Sequence, residues 1–329
     1  MSEGENQPVS ISGSITDVLG LGKGVNVLVG SIERGIGKVF GPWQRKRENR
    51  AEIANAEEWA AALGKQGLQI TGGDLSLGER TMARLMVDAV RQQIAREAIA
   101  LEAVEDFKRI TGGGTDAEPS PPEPEWVDRF WRLAGEVTSD DMKSLWGRVL
   151  ARQISGDAKI SARTLDFLST LSGAEANLIA KLAAVVCQCD TITSERKALL
   201  VRGLPHSKDK KMEGLERRLA GYTEEVASPH LGAIGVFYES GMSSSVYGYI
   251  KDDKVRLRIG GKRFVLMSYV TPLAARYRPG ECDVGNGEEL TWLGRELLSL
   301  IDAEPDPAYL RALTEAYGEF GWVLRPEKD

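Results

Sequence analysis

The apolar residues of this chain repeat at two different intervals, and the change from one to the other divides what it can fold into. Met142, Leu145, Trp146, Val149, Leu150 and Ile154 fall at i, i+3, i+4, i+7, i+8 and i+12, which is one face of a helix. Upstream, Met82, Leu85, Met86, Ala89, Val90, Ile94, Leu101, Val104 and Phe107 keep nearly the same period. They predict a helix of about 30 residues, a length suited to a bundle or a coiled-coil contact. Leu165, Leu168 and Leu171 share a further short face, and an apolar helix then runs to Val186. Beyond residue 230 the interval falls to two. Val255, Leu257 and Ile259 alternate with Lys254, Arg256 and Arg258, and Gly260-Gly261 fits a two-residue hairpin turn before Phe264 to Tyr269. Ala233 to Tyr238 and Val246 to Ile250 are also β-favouring, with Asp252-Asp253 as a turn. Helices resume from Trp292 to Ile301 and, with Asp306 as N-cap and Pro307 at the first helical position, from Ala308 to about Phe320. The expected fold class is therefore mainly α, a helical bundle with a small C-terminal α+β module of winged-helix-like kind.

Helix starts are marked by chemistry as well as period. Ser76 with Glu79 and Ser172 with Glu175 have the spacing at which hydroxyl and carboxylate reciprocally satisfy orphan amides. Ser139 followed by Asp140 and Asp141 supplies a cap and an acidic first turn. Residues 112–125 change composition to Gly, Pro, Ser and acid, which buries no apolar area and reads as a linker. The expected organisation is a glycine-rich segment over 1–47, a long-helix region over 48–111 that opens with a helical pattern from Glu48 to Leu63, the linker, a helical bundle over 126–190, and an α+β module over 191–329. Arg196 to Arg218, with Lys208, Lys210 and Lys211 among interleaved acids, reads as a solvated loop.

The N-terminal segment is unusual because glycine recurs through an apolar run, although each helical glycine costs about 1 kcal/mol relative to alanine. Gly20 and Gly24, and again Gly37 and Gly41, have the small-xxx-small spacing that lets helix backbones approach in lipid. The run ends in Arg45, Lys46, Arg47 and Arg50, a basic flank suited to an anionic surface. Lys23, Glu33, Arg34 and Lys38 interrupt it, so the expectation is an interfacial amphipathic helix and not a simple span. The plainer alternative is an arm that docks on its own domain or on a partner subunit. The polar, acidic first ten residues lack the basic start and apolar run of an export signal, which predicts a cytoplasmic protein, peripheral at the inner membrane if the segment meets lipid.

The run from Asp140 to Leu182 has an acidic start, then Leu145-Trp146-Gly147, Leu150-Ala151, Ser161-Ala162-Arg163-Thr164-Leu165, and Leu171-Ser172 with Glu175-Ala176. This pattern resembles the central signature of an uncharacterised bacterial family catalogued as domain of unknown function 2806. The closing segment from Leu290 to Trp322 and the glycine-rich start are similar too. The resemblance implies bacterial proteins, some from mobile or phage-defence gene neighbourhoods, and brings no catalytic residue set with it. The proline-rich, acidic linker is the point of departure.

Chemistry is notable for what it lacks. With 42 Lys+Arg against 48 Asp+Glu the net charge is -6, which excludes a general polyanion binder and leaves room for a local basic patch. Three cysteines and two histidines are too few and too scattered for a zinc module or disulfide framework. Cys187-x-Cys189 has no histidine at ligand spacing. The glycine runs at Gly20 to Val25 and Gly35 to Gly41 miss both the phosphate-loop and the dinucleotide patterns, since Gly24 and Val39 follow the lysines. No nucleophile elbow or zincin motif occurs. The expectation is a protein without cofactor, metal or catalytic set. Its function is that of a non-enzymatic interaction or effector protein with a protein partner or second copy, whose N-terminal helix meets a membrane or partner through Gly20, Gly24, Gly37, Gly41, Arg45, Lys46, Arg47 and Arg50. The competing expectation is a nucleic-acid-binding regulator using Lys254, Arg256, Arg258, Lys262 and Arg263 of the hairpin.

Overall fold

The structure is a computed structural model describing residues 23–36, 76–111, 121–191, 196–203, 210–226, 229–238, 244–268, 280–319 and 321–327. The chain divides into two compact units, Met1–Thr170 and Leu171–Asp329.

In the first unit the described residues form α1 (Lys23–Ile36), α2 (Leu77–Thr111), α3 (Pro124–Ala134), α4 (Asp140–Ser155) and α5 (Ala162–Thr170). Each buries the face its period predicts, except that the first turns of α2 leave Met82, Leu85 and Met86 of its stripe exposed. Val149, Leu150 and Ile154 of α4 are buried, as are Ile99, Ala103 and Phe107 of α2 and Leu165 and Leu168 of α5. An aromatic cluster fills the centre, with Phe130 stacked on Trp126 at 5.4 Å and 5.3 Å from Trp146 between ring centroids. Helix α4 reaches α2 closely because residue 147 has no side chain: a Cβ there would stand 2.5 Å from Glu102 Cβ and 2.9 Å from the Ala103 amide nitrogen. The three expected caps, at Ser76, Ser139 and Ser172, all form. Ser76 N donates to Glu79 at 2.8 Å and Met142 N donates to Ser139 Oγ at 3.4 Å. The third is the complete capping box of Ser172 and Glu175 at the start of α6 (Gly173–Val185). The predicted helix from Glu48 to Leu63 and most of the linker lie outside the described residues.

One charged group sits within the helical packing. Asp106 accepts from Arg109 Nη2 at 2.6 Å, and Arg152 Nε lies 3.8 Å from its other oxygen, with the side chains of Asp106 and Arg152 9% and 7% exposed. Removing Asp106 takes a buried carboxylate away from the Arg152 guanidinium, which keeps the more exposed Asp157 at 3.9 Å. Asp106→Ala is expected to lower stability by about 3 kcal/mol, read by urea denaturation, and Asp106→Asn by less. An unchanged midpoint for Asp106→Ala would show that Arg152 is compensated without Asp106, as by Asp157 at 3.9 Å.

The second unit contains α6, β1 (Cys187–Asp190), β2 (Arg196–Gly203), α7 (Lys210–Thr223), α8 (Pro229–Ala233), β3 (Ser244–Lys251), β4 (Lys254–Ile259), β5 (Lys262–Ser268), β6 (Glu281–Glu289), α9 (Trp292–Ser299), α10 (Pro307–Glu319) and β7 (Trp322–Pro326). Its sheet is antiparallel throughout, in the order β1-β2-β6-β3-β4-β5-β7, and β1 pairs with β4 as well as with β2. The pairings β1-β2-β6-β3-β4-β1 thus close a ring, from which β5 and β7 continue beyond β4. Two-residue turns make both expected hairpins. Asp252 and Asp253 have φ of 55° and 57°, and Gly260 and Gly261 have 50° and 76°, the left-handed values such turns require.

The register slips twice along β6, at Val201/Gly203 and at Val246/Tyr247. Beside each slip a tyrosine of α10 donates its hydroxyl to a strand carbonyl, Tyr309 to Val201 O at 3.1 Å and Tyr317 to Val284 O at 2.7 Å. Helix α10 starts where Asp306 and Pro307 predict, with Tyr309 N bonded to Asp306 Oδ1 at 2.7 Å. Two expectations are corrected. The segment expected as a solvated loop over 196–218 carries strand β2, whose Ala198, Leu199, Leu200 and Val201 are buried, followed by α7. Here an apolar run of four outweighs the charges that flank it. Ala233 to Tyr238 ends a short helix and adds a single bridge, Phe237 to Leu290, because Gly235 turns the backbone at φ 86°. Strand β6, rich in Gly and acid, carried no β signal; it is held by neighbours on both edges.

Glu175 accepts hydrogen bonds from Ser172, side chain first and backbone second, and then from His230, which hold its carboxyl down from the ordinary 4.5 to about 2. A depressed folded pKa gives stability that is full above the ordinary value and is lost as pH falls through the folded one. The melting-temperature advantage of the native chain over Glu175→Gln is therefore expected to be constant above about pH 5 and to close toward pH 2. A gap independent of pH over that window would show that the carboxylate charge is not what holds this helix start.

Candidate functional site

Helix α1 turns its apolar residues into its own unit. Val25, Leu28, Ile32 and Ile36 are buried, Trp131 Nε1 donates to Ser31 O at 2.7 Å, and Arg34 pairs with Asp128 at 2.6 Å. Gly35 lies so close to the Trp131 ring that an added Cβ would stand 2.1 Å from it. Gly24 is half-buried on this helix. Gly20, Gly37, Gly41, Arg45, Lys46, Arg47 and Arg50 lie outside the described residues. The glycines seen to permit close approach in this unit, Gly35 and Gly147, are different from the four read from the sequence. No helix among the described residues is long and apolar enough to cross a membrane.

The basic hairpin is built differently. Alternation along β4 sends Val255, Leu257 and Ile259 inward and leaves Lys254 and Arg256 exposed and Arg258 half-buried on the other face. Residues directly opposite in an antiparallel pair share a face. Arg258 is opposite Arg263, Arg256 is opposite Val265, and Val265 is in turn opposite Arg325 of β7. Lys254, Arg256, Arg258, Arg263 and Arg325 therefore occupy one face across three strands roughly 4.8 Å apart. Lys262, two residues from Phe264 on the inward side, instead reaches Glu304 at 3.0 Å. The structure thus brings together four of the five hairpin cations, sets Lys262 apart, and adds Arg325. No local signal marks Arg325, because β7 joins this sheet from about 60 residues away.

Two carboxylates accompany these cations. Glu327 takes Arg256 Nε at 2.9 Å, and Asp190 ends β1 on the same face, following Gln188 opposite Arg258. Five cations thus gather on one face of a chain whose net charge is -6. Arg258 opposite Arg263 is a like-charge cross-strand pair, which is unfavourable in isolation. Guanidinium forks bond phosphate bidentately, so two of them side by side present a geometry suited to a phosphate.

The groups with nucleophilic potential lie elsewhere. Cys187, Cys189 and Cys282 are all buried in the second unit. Burial pushes the thiols of Cys189 and Cys282 up to about 12 and raises that of Cys187 well above its ordinary value, so at neutral pH they behave as small apolar groups. Among the described residues no group of three or more His, Cys, Asp or Glu is arranged to hold a metal ion.

The residues of the central signature have structural work in this geometry. Trp146 and Gly147 seat α4 against the cluster and α2, Ser161 Oγ accepts from Thr164 N at 3.2 Å at the start of α5, and Ser172 and Glu175 start α6. No curated protein and no solved structure matches the chain. The model of a protein family of unknown function, DUF2806, matches residues 79–314, from the first turn of α2 into α10, and the chain belongs to that family.

Proposed function

We propose that the protein acts by interaction and that its contact surface is the basic face of β4, β5 and β7, which binds the phosphate backbone of a nucleic acid. The observation that carries this is the facing pair Arg258 and Arg263, flanked by Arg256, Lys254 and Arg325, on an otherwise acidic chain. Both hairpin strands are paired on their outer edges, β4 to β1 and β3, β5 to β7. The surface on offer is thus a sheet face and not the projecting loop of a winged helix. Such a face offers charge and planar guanidiniums without a helix to enter a groove, so the expected mode is backbone contact with little sequence preference.

Salt dependence tests this directly. Binding of a fluorescent single-stranded oligonucleotide is expected to weaken with salt, and Arg256→Gln, Arg258→Gln and Arg263→Gln together are expected to reduce the log–log slope by about 2. Lys262→Gln, off the face, should leave it unchanged. Absence of binding at about 50 mM salt, or equal loss with Lys262→Gln, would sink this reading.

The N-terminal reading is weaker on energetic grounds. Placing the apolar stripe of α1 in lipid means withdrawing Val25, Leu28, Ile32 and Ile36 from the bundle, at about 1.5–3 kcal/mol for each side chain. Lipid would have to return that amount before any net association. A basic contact through Arg45, Lys46, Arg47 and Arg50 needs no such withdrawal, and it stands as the second reading on the sequence alone. Co-sedimentation with anionic and neutral vesicles separates the two surfaces. Loss of anionic binding on changing those four residues to Gln, with the hairpin intact, would favour a membrane-directed effector. Deleting residues 1–47 is a poorer test, because it strips buried residues from the first unit.

A further inference from the structure

The outward face of β4 continues past its own edge, because β3 is paired beside it. A Cβ added at Gly248 would stand 2.5 Å from Val255 Cγ1 and 3.2 Å from Val284 Cγ1, so Gly248 turns inward with Val255. Side chains alternate along a strand, which puts Tyr247 and Tyr249 on the outer face, that of Lys254 and Arg256. Tyr249 is 41% exposed and Tyr247 is half-buried. Ile250 is opposite Val255 and Lys251 opposite Lys254, so the next step of that register sets Tyr249 beside Arg256. From there the row continues through Val265 to Arg325. On the other edge of β3, Tyr247 is opposite Asp283 and Tyr249 opposite Glu281 of β6. Chemistry therefore changes across the face, with guanidiniums on β4, β5 and β7, phenol rings on β3 and carboxylates on β6.

We infer that the nucleic acid bound here is single-stranded and that one of its bases stacks on the ring of Tyr249, an inference that rests on the phosphate reading of the basic face. A nucleic-acid strand carries its charge along one side and its aromatic rings along the other, the same order as this face. Its phosphates belong with Arg256, Arg258, Arg263 and Arg325 and not with the carboxylates of β6, which leaves the bases over β3. Neighbouring strands are about 4.8 Å apart, so a base on Tyr249 and its phosphate at Arg256 are one strand spacing from each other, within the reach of one nucleotide. In a duplex each base lies between its neighbours with both faces covered, out of reach of a ring on the surface of a sheet. An unpaired strand offers a π face at every base, and stacking then adds affinity without sequence preference.

Fluorescence anisotropy with three DNA probes of about 15 nucleotides tests this: a thymine strand, its duplex, and a strand of equal length with abasic sites throughout. The abasic strand keeps every phosphate and offers no base. At about 50 mM salt the native full chain is expected to bind the thymine strand about tenfold more tightly than the abasic strand, and more tightly than the duplex. Tyr249→Ala is expected to bind thymine and abasic strands alike, with the salt slope of the native chain, while Tyr249→Phe keeps the difference. Equal binding of thymine and abasic strands by the native chain, or loss of the same factor on both in Tyr249→Ala, overturns the stacking and leaves the phosphate reading standing. Tighter binding of the duplex overturns the single-stranded assignment alone. Failure of the native chain to bind any of the three probes overturns the phosphate reading and the stacking with it.

Discussion

Strand β1 is only four residues long, yet it is hydrogen-bonded along both edges, to β2 and to β4. That double pairing turns an open sheet into a ring, and the second unit follows from it. Once the ring closes, the inward positions of its strands are buried, among them the three cysteines with Val255, Leu257 and Ile259. The polar positions of β4 are then forced outward, and β5 and β7, paired beyond the ring, widen that outward face. The two register slips are the geometric cost of bending β6 into the ring. The tyrosine hydroxyls of α10 beside them keep strand carbonyls from being buried without a partner.

How much of this was legible in the sequence depended on whether the signal was local. Periodicity located α2, α4, α5 and α6, and cap chemistry placed the starts of α2, α4 and α6 at Ser76, Ser139 and Ser172. Both two-residue turns were readable because their residues tolerate positive φ. What escaped was set by distant pairing. Strand β6 has the composition of a loop, and strand β2 hides Ala198 to Val201 between charges. Of the candidate face, Lys254, Arg256 and Arg258 were visible as an alternating row, and Arg263 as the far side of its hairpin. Arg325 becomes their neighbour only through the β5–β7 register, and Lys262 leaves them for the same kind of reason.

The residues by which the chain resembles its family are those that build the scaffold. Leu145-Trp146-Gly147 fixes a helix crossing, Ser161 and Thr164 start α5, and Ser172 with Glu175 starts α6. A signature made of crossing points and caps identifies a fold and is silent about chemistry. That is why the proposed function rests on a surface outside it, the outward face of a strand trio.

The three thiols inside the ring also give the second unit a built-in clock. Each is buried, and none reacts at an appreciable rate while the strands are paired. An alkylating reagent therefore modifies Cys187, Cys189 or Cys282 only in molecules whose strands have parted. At low reagent concentration the labelling rate reports the fraction opened, and at high concentration it reports the opening rate itself. Because Cys187 and Cys189 lie on β1, and β1 holds the ring shut, the order in which the thiols become reactive records which seam yields first.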